Sequence, residues 1–243
     1  PGYGFISENS DFAKLCEDNK INFIGPSSKS MDLCGDKMKC KAAMLKAKVP
    51  TVPGSPDLVK DVQEALDIAN EIKYPVLLKS VYGGGGRGIR LVTNDKELKE
   101  GYETVTGESI AAFGKSAILV EKFLEKTRHI EYQLARDKHG NAVHTFEREC
   151  SIQRRNQKLI EQTPSPAVDE KTRERIGEFV VKAAHAVDYT NLGTAEFLRS
   201  DEGEFYFIEI NARLQVEHPI TEMVTGLDLV KLQIDIANGE PLP

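Results

Sequence analysis

No stretch of apolar residues in this chain of 243 approaches the length that crosses a bilayer, which excludes a helical membrane span. Nor is there a basic stripe. The formal net charge is −6, which weighs against nucleic acid as the main partner. The four cysteines, Cys16, Cys34, Cys40 and Cys150, form no C-x-x-C pair, and no signal peptide is visible. That combination predicts reduced, structural thiols in an intracellular protein. Repeats and low-complexity tracts are missing as well. The chain opens on Pro1 without a Met and ends on Pro243, which predicts a fragment of a longer polypeptide.

Hydrophobic residues make up 40% of the chain, enough for a sizeable core in one or two domains. Ser10 reads as a helix N-cap with Asp11 in the first turn, and Asn22 to Ile24 as a short strand closed by Gly25-Pro26. Asp36 to Lys46 reads as a helix. The run VPTVPGSPDL, with three prolines, cannot continue it and is the best internal boundary. Beyond it, Asp61 to Ile72, a segment beginning at Glu97, Glu170 to Val187 and Leu227 to Ile236 read as helices. Val76 to Val81, Ile89 to Val92, Ala117 to Phe123, His129 to Asp137, Asn141 to Glu149, Thr194 to Arg199 and Glu204 to Ile210 read as strands, two of the connections being the turns DKHGN and SDEG. Helices mixed with hairpins predict an α+β fold rather than an alternating parallel sheet.

Between two of these strands lies VYGGGGRGI. Four glycines in a row raise the entropic cost of ordering the segment, so a compensating contact is expected. Gly83, Gly85 and Gly88 satisfy G-x-G-x-x-G, yet a strand rather than a helix follows, so the dinucleotide reading fails. Without a G-K-[ST] the P-loop reading fails too. A strand–glycine–strand hairpin resembles the flap that kinases lay over ATP phosphates, where backbone N–H groups can approach an anion closely. Lys79 before the glycines and Arg87 within them suit a triphosphate. A surface loop with incidental cations is the plainer alternative.

In EFYFIEINARLQVEHP, period two separates Tyr206, Ile208, Ile210, Ala212, Leu214 and Val216 from Glu209, Asn211, Arg213, Gln215 and Glu217. An extended chain would set this polar row opposite a buried face. With a turn at Ser200 to Gly203, Glu196 opposes Phe207, and Glu209 is its diagonal neighbour at about 7 Å or less between Cβ atoms. Two carboxylates that close repel, so one protonates or a cation intervenes. Oxygen ligands from Glu196, Glu209 and Asn211 suit Mg²⁺ or Mn²⁺, and a solvated acidic edge is the bland alternative. A third stretch, ERECSIQRRNQKLIEQTPSP, brings Arg148, Arg154, Arg155 and Lys158 together. Alone it reads equally well as a solvated basic loop. Beside the acidic row it suits a small anion and a transferring phosphoryl group.

With these residues in place the chain resembles the biotin carboxylase domain of biotin-dependent carboxylases, in the ATP-grasp superfamily. PGYGFISEN, FIGPS, GDKMKCKAAM, YPVLLKSVYGGGGRGIRLV, VEKFLEKTRHIEYQ, ERECSIQRRNQKLIEQTPSP, GTAEFL and FIEINARLQVEHPITEMVTGLDLV carry the resemblance over almost the whole chain. It implies an ATP-grasp fold: residues 1–35 as the end of an N-terminal α/β domain and 36–243 as the ATP-grasp domain, with a glycine-rich lid at about 51–123. It implies that Lys37, Lys79, Gly84, Gly85, Gly86, Arg87 and Gly88 grip the phosphates of ATP. Glu121, Lys122 and Leu124 would receive adenine, and His129, Gln153 and Asn156 would meet the ribose. Glu196, Glu209 and Asn211 would hold Mg²⁺ or Mn²⁺, and Lys158, Arg213, Gln215, Val216 and Glu217 would form a bicarbonate pocket. In that family Glu217 would deprotonate bicarbonate, which attacks the γ-phosphate to give carboxyphosphate; Arg213 would stabilise the anions. The implied activity is ATP-dependent carboxylation of biotin on a carrier protein. The implied partners are the carrier, a carboxyltransferase and a second copy of the full-length chain, in the cytoplasm or a mitochondrial matrix.

Some positions depart from the family pattern. Asn156 stands where many members have His, and Ala212 replaces the commoner Thr, Ser or Pro. The resemblance also implies segments before Pro1 and after Pro243, so the biotin site is expected to be incomplete here; Tyr3 is a candidate for its near side. A carbamoyl phosphate synthetase-type ligase and a non-catalytic nucleotide-binding module are the alternatives. RLQVEH with ERECSIQRRNQK favours biotin carboxylase over the first, and Lys158, Arg213 and Glu217 count against the second.

Overall fold

The computed structural model describes residues 2–80, 88–114, 117–155 and 157–243, with the side chains at 112 and 113 left aside. Gly84, Gly85, Gly86, Arg87 and Asn156, all named above as nucleotide contacts, lie outside the described residues. Two compact units result: residues 1–51 with 126–243, and residues 52–125.

The smaller unit is a three-stranded antiparallel sheet backed by two helices. The helix α4 (Val62–Ile72) follows Asp61, whose side chain accepts from the Glu64 N–H, and α5 (Asp95–Phe113) follows Asn94, which caps the Glu97 N–H. Strand β1 (Val76–Ser80) runs between β2 (Ile89–Val92) and β3 (Ile118–Lys122). Alternation in β1 buries Val76, Leu78 and Ser80, while Leu77 and Lys79 point to the opposite face. Val76, Leu78, Val92 and Val120 pack with Ala65, Leu66 and Ala69 of α4 and Leu98 of α5. A Cβ on Gly101 would lie 3.1 Å from Leu78 Cδ1, so glycine lets α5 approach the sheet.

The larger unit is built on a five-stranded antiparallel sheet in the order β6-β5-β4-β7-β8. Its strands are β4 (Arg128–Arg136), β5 (Ala142–Arg154), β6 (Gln157–Gln162), β7 (Asn191–Arg199) and β8 (Phe205–Asn211). Around it lie α1 (Ser10–Asp18), α2 (Ser28–Gly35), α3 (Lys37–Lys46), α6 (Glu170–Ala186), α7 (His218–Thr225) and α8 (Leu229–Asn238). One face is the main core. Ile130, Tyr132 and Leu134 of β4 and Ala195 and Phe197 of β7 pack with Ile176, Val180 and Ala183 of α6 and Met44 of α3. The alternate residues form the other face. Ala135 and Leu192 are covered there by Leu229 and Ile236 of α8. Further along the same rows come Gln133 and Thr194, then Glu131 and Glu196, all buried. This face thus grades from apolar to charged, and its charged end carries the site.

The α+β reading holds, and several details differ from the sequence reading. The cap of α1 is Asn9 rather than Ser10. Asn22 to Ile24 forms no strand; Phe23 instead packs edge-to-face on Phe12, with ring centroids 6.1 Å apart. The basic stretch is not a loop but the hairpin β5–β6, in which Gln153 pairs with Lys158. Helices α2 and α7 went unread. The polar alternation also ends early. Strand β8 stops at Asn211, so Arg213, Gln215 and Glu217 lie on a loop and the cap of α7, and Pro219 sits in that helix's first turn. Finally, the pairing shifts at Ile208: Phe197 opposes Phe207 but Glu196 opposes Glu209. The extra residue is a β-bulge. It turns exposed Ile208 out, keeps Phe205, Phe207 and Ile210 in the core, and brings the two glutamates directly opposite each other.

Candidate functional site

The bulge places two carboxylates on adjacent strands of one sheet face. Glu196 is buried and heavily bonded: its Oε1 accepts from Asn211 Nδ2 at 2.7 Å and Lys158 Nζ at 3.0 Å, and its Oε2 meets His129 Nε2 at 2.7 Å. Burial alone would favour the neutral acid, but the bonds from His129 and Lys158 outweigh it and hold the carboxyl at about 2. Glu209 is pushed the other way, by burial and then by the charge of Glu196. Among the described residues the cation paired with it is Lys37, whose Nζ is 3.9 Å from Glu209 Oε2 and largely exposed. The pair therefore has one ionised member and one held back by it. A divalent cation would relieve that repulsion, and two carboxylates with the Asn211 amide oxygen are hard oxygen donors suited to Mg²⁺ or Mn²⁺.

Lys158 is the hub beside them. From the hairpin strand β6 its Nζ donates to Glu131, to Glu196 Oε1 and to Glu217 Oε1, the last two each at 3.0 Å. Burial would discharge it, but the charges of Glu131 and Glu196 prevail and raise its pKa, so it stays an ammonium. Glu217 is thus tied to a cation at the N-terminus of α7. The loop before it is seated by buried Leu214. Gln215 is also buried, and its Oε1 accepts from Arg148 at 3.1 Å. Val216 is exposed. Arg213 is held by Glu8, whose Oε2 accepts from Nε at 2.7 Å.

These groups surround a single cavity of 810 Å³ within the larger unit. Its wall includes all five residues expected to bind bicarbonate and all three expected to hold a metal, together with His129, Gln153, Tyr3 and Glu8. Gln153 Nε2 lies 3.0 Å from His129 Nδ1, so the glutamine orients the imidazole that touches Glu196. Lys37 stands near Glu209 but is not among the wall residues.

In the smaller unit, Lys79 and Glu121 are ion-paired across β1 and β3 on the sheet face that also carries Leu77, with Leu119 and Leu91 as cross-strand partners. Gly88 adopts φ 72°, a conformation glycine takes freely. Lys122 is committed elsewhere: its Nζ donates to the carbonyls of Lys73 at 2.9 Å and Tyr74 at 3.0 Å. Leu124 is half-buried.

Sequence reading missed Glu131, Glu8 and the place of Arg148. Glu131 was within reach: Ile130, Tyr132 and Leu134 alternate with Glu131 and Gln133, the same period-two signal that singled out Glu209. Arg148 was grouped with solvated cations but has no exposed surface. Glu8 carried no local signal, since its partner is 205 residues away. His129, Glu131 and Cys150 bring ligand atoms within 4.8 Å of one another, but Glu131 is already bound by Arg148 and Lys158.

The family described as the carbamoyl-phosphate synthase L chain ATP-binding domain matches residues 36–243, and the biotin carboxylase N-terminal domain matches residues 1–31. A biotin carboxylase of Nostoc sp. is 54% identical over 242 residues, covering 100% of this chain and 54% of that protein. The biotin carboxylase domain dimer of Hydrogenobacter thermophilus 2-oxoglutarate carboxylase, solved with MgADP, ADP and bicarbonate, is 55% identical with a TM-score of 0.88. That comparison covers 100% of this chain and 53% of the solved one. Campylobacter jejuni biotin carboxylase, solved as a β,γ-ATP complex, is 48% identical with a TM-score of 0.90, over 100% of this chain and 55% of the other. The chain therefore spans about half the length of the curated relatives it matches.

Proposed function

Since the chain belongs to the carbamoyl-phosphate synthase L chain ATP-binding family, as the ATP-grasp domain of a biotin carboxylase, we propose that its parent protein is a ligase that carboxylates biotin on a carrier protein. The substrates are ATP and bicarbonate; the products are carboxybiotin, ADP and phosphate. The observation that carries this reading is the convergence of Lys158, Arg213, Gln215 and Glu217 on the cavity that also holds the Glu196–Glu209 pair.

In the larger unit, Glu196, Glu209 and Asn211 hold Mg²⁺ or Mn²⁺, with Lys37 as a phosphate contact. In the smaller unit, Lys79 and Gly88 contact the phosphates, and Glu121, Lys122 and Leu124 take the base. The Lys79 ammonium is paired with Glu121, so it is already aligned within the sheet. Gly84, Gly85, Gly86 and Arg87 join the phosphate contacts by their place in the motif. His129, Gln153 and Asn156 are the ribose contacts. The metal, when bound, neutralises charge on the β- and γ-phosphates.

Arg213 and the Gln215 amide bind bicarbonate, with the Val216 backbone beside them. Glu217 takes its proton, and Lys158 Nζ, 3.0 Å from Glu217 Oε1, holds that carboxylate in place for it. The freed oxygen attacks the γ-phosphorus and ADP leaves, giving carboxyphosphate. Breakdown of carboxyphosphate releases CO2 and phosphate. The phosphate takes the proton from biotin N1, and that nitrogen attacks CO2. Most of the work asked of the protein is charge stabilisation and positioning.

The partners proposed are a biotinyl carrier, a carboxyltransferase and a second copy of the full-length chain. A cytoplasmic or mitochondrial-matrix setting fits the four free, buried cysteines. Among the described residues no helix is long and apolar enough to cross a membrane. The test is bicarbonate-dependent ADP release with free biotin, on the full-length protein. Glu217→Gln is expected to abolish it with ATP affinity nearly unchanged; full turnover in that variant would remove Glu217 as the base.

A further inference from the structure

Among the described residues the largest fully buried side chain is a charged one, Arg148. A guanidinium has five N–H donors and no acceptor. Here five acceptors meet it: Nε donates to Glu131 Oε1 at 2.6 Å, Nη1 to Gln133 Oε1 and Thr221 Oγ1, both at 2.9 Å, and Nη2 to Thr194 Oγ1 at 3.3 Å and Gln215 Oε1 at 3.1 Å. The arginine joins β4, β5, β7, α7 and the loop between β8 and α7. Glu131 balances its charge, and no lone pair on Arg148 is left to receive a proton.

That chemistry dictates the orientation of Gln215. A side-chain amide has a donor end and an acceptor end of nearly the same shape. Only the oxygen can face a buried guanidinium; a flipped amide would set N–H against N–H next to a positive charge and leave a buried donor unpaired. With Oε1 turned to Arg148, Nε2 lies on the side of Glu196, 3.4 Å from its Oε1, at the cavity wall. We propose that Arg148 is a positioning residue for the anion pocket: it fixes the Gln215 amide so that its NH2 group is the donor presented to bicarbonate. This deepens the proposed function and rests on it. Arg148 itself touches no substrate.

The test is a double-mutant cycle in the full-length protein, following bicarbonate-dependent ADP release with free biotin. Arg148→Lys and Gln215→Ala are each expected to raise KM for bicarbonate about tenfold while KM for ATP stays within about twofold of wild type, and the double variant to be no worse than the worse single one. Multiplied effects in the double variant, or equal rises of both KM values in Arg148→Lys, would overturn the proposal. A wild-type protein without bicarbonate-dependent turnover would instead overturn the function itself, and this role with it. A second measurement needs no Arg148 variant. In full-length protein labelled with 15N-glutamine, the side-chain NH2 signal lost in Gln215→Ala should shift when bicarbonate is added. A signal indifferent to bicarbonate would defeat it.

Discussion

Glu8 grips the Arg213 side chain and the Ala212 backbone together. One carboxylate oxygen accepts from Arg213 Nε at 2.7 Å and the other from the Ala212 N–H at 2.9 Å. The guanidinium is thereby fixed through Nε, and its Nη1 also donates to the Leu214 carbonyl at 3.4 Å. Residue 8 belongs to the segment matching the biotin carboxylase N-terminal domain and Arg213 to the segment matching the ATP-binding domain, so this contact joins the two matched regions.

Glu8→Gln keeps an acceptor for Ala212 but removes the negative charge that faces Arg213. The expected result is a rise in KM for bicarbonate of about fivefold, with KM for ATP unchanged. Steady-state kinetics of the full-length enzyme at varied bicarbonate measures it. An unchanged bicarbonate KM would mean that Arg213 holds its place without Glu8.

Glu209 is the metal candidate least committed to protein partners. Glu196 is bonded to His129, Lys158 and Asn211, whereas Glu209 makes a long ion pair, 3.9 Å, with Lys37. Glu209→Gln should raise the Mg²⁺ concentration for half-maximal activity by about tenfold. Activity against free Mg²⁺ at saturating ATP reads this directly, and an unshifted curve would exclude Glu209 as a ligand.

A structural prediction concerns α6. A Cβ on Gly177 would sit 2.0 Å from Nε2 of His144, whose ring packs edge-to-face on Tyr132 with centroids 5.7 Å apart. Gly177→Ala should therefore destabilise the fold by about 2 kcal/mol, despite alanine's better helix propensity. Adding His144→Ala should recover part of the loss. Chemical denaturation of the four proteins tests this, and a stable single variant would show that the ring moves aside freely.

Glu161 supplies a pH dependence. Both of its carboxylate oxygens are buried without a hydrogen-bond partner, and burial, then Glu131 and Glu217, push its pKa up to about 8. Its ordinary value is 4.5, so between these limits the native state binds a proton that the unfolded chain has released. Its contribution is then fully favourable below the lower value and is lost as pH rises through about 8. Glu161→Gln should raise the melting temperature at alkaline pH and leave it nearly unchanged at acidic pH. Parallel melting curves against pH for the two proteins would rule out Glu161 as the source.

Legibility in the sequence followed range. The spans of α3, α4 and β2 were readable to within a residue because hydrophobic period and alternation act over neighbouring residues, whereas the one cap read, Ser10, lies one residue past the true cap Asn9. So was the candidacy of Lys158, Glu196, Glu209 and Glu217, through motifs that keep their order along the chain. The register of β7 against β8 was misjudged twice: the turn sets Arg199 opposite Phe205, one residue further on than expected, and the bulged Ile208 adds a second residue before Glu196 and reverses the pleat parity, neither leaving a mark on composition.

By itself the sequence determined the α+β character, the family and the residue types of the site, because local hydrophobic period and contiguous motifs are written in neighbouring residues. Tertiary structure alone decided that Glu196 faces Glu209 directly, that Arg148 is buried with five acceptors, and that Glu8 restrains Arg213. Each of these joins side chains from separate elements, and their free energies depend on which strands become neighbours, on the water excluded between them, and on the charges left facing each other there.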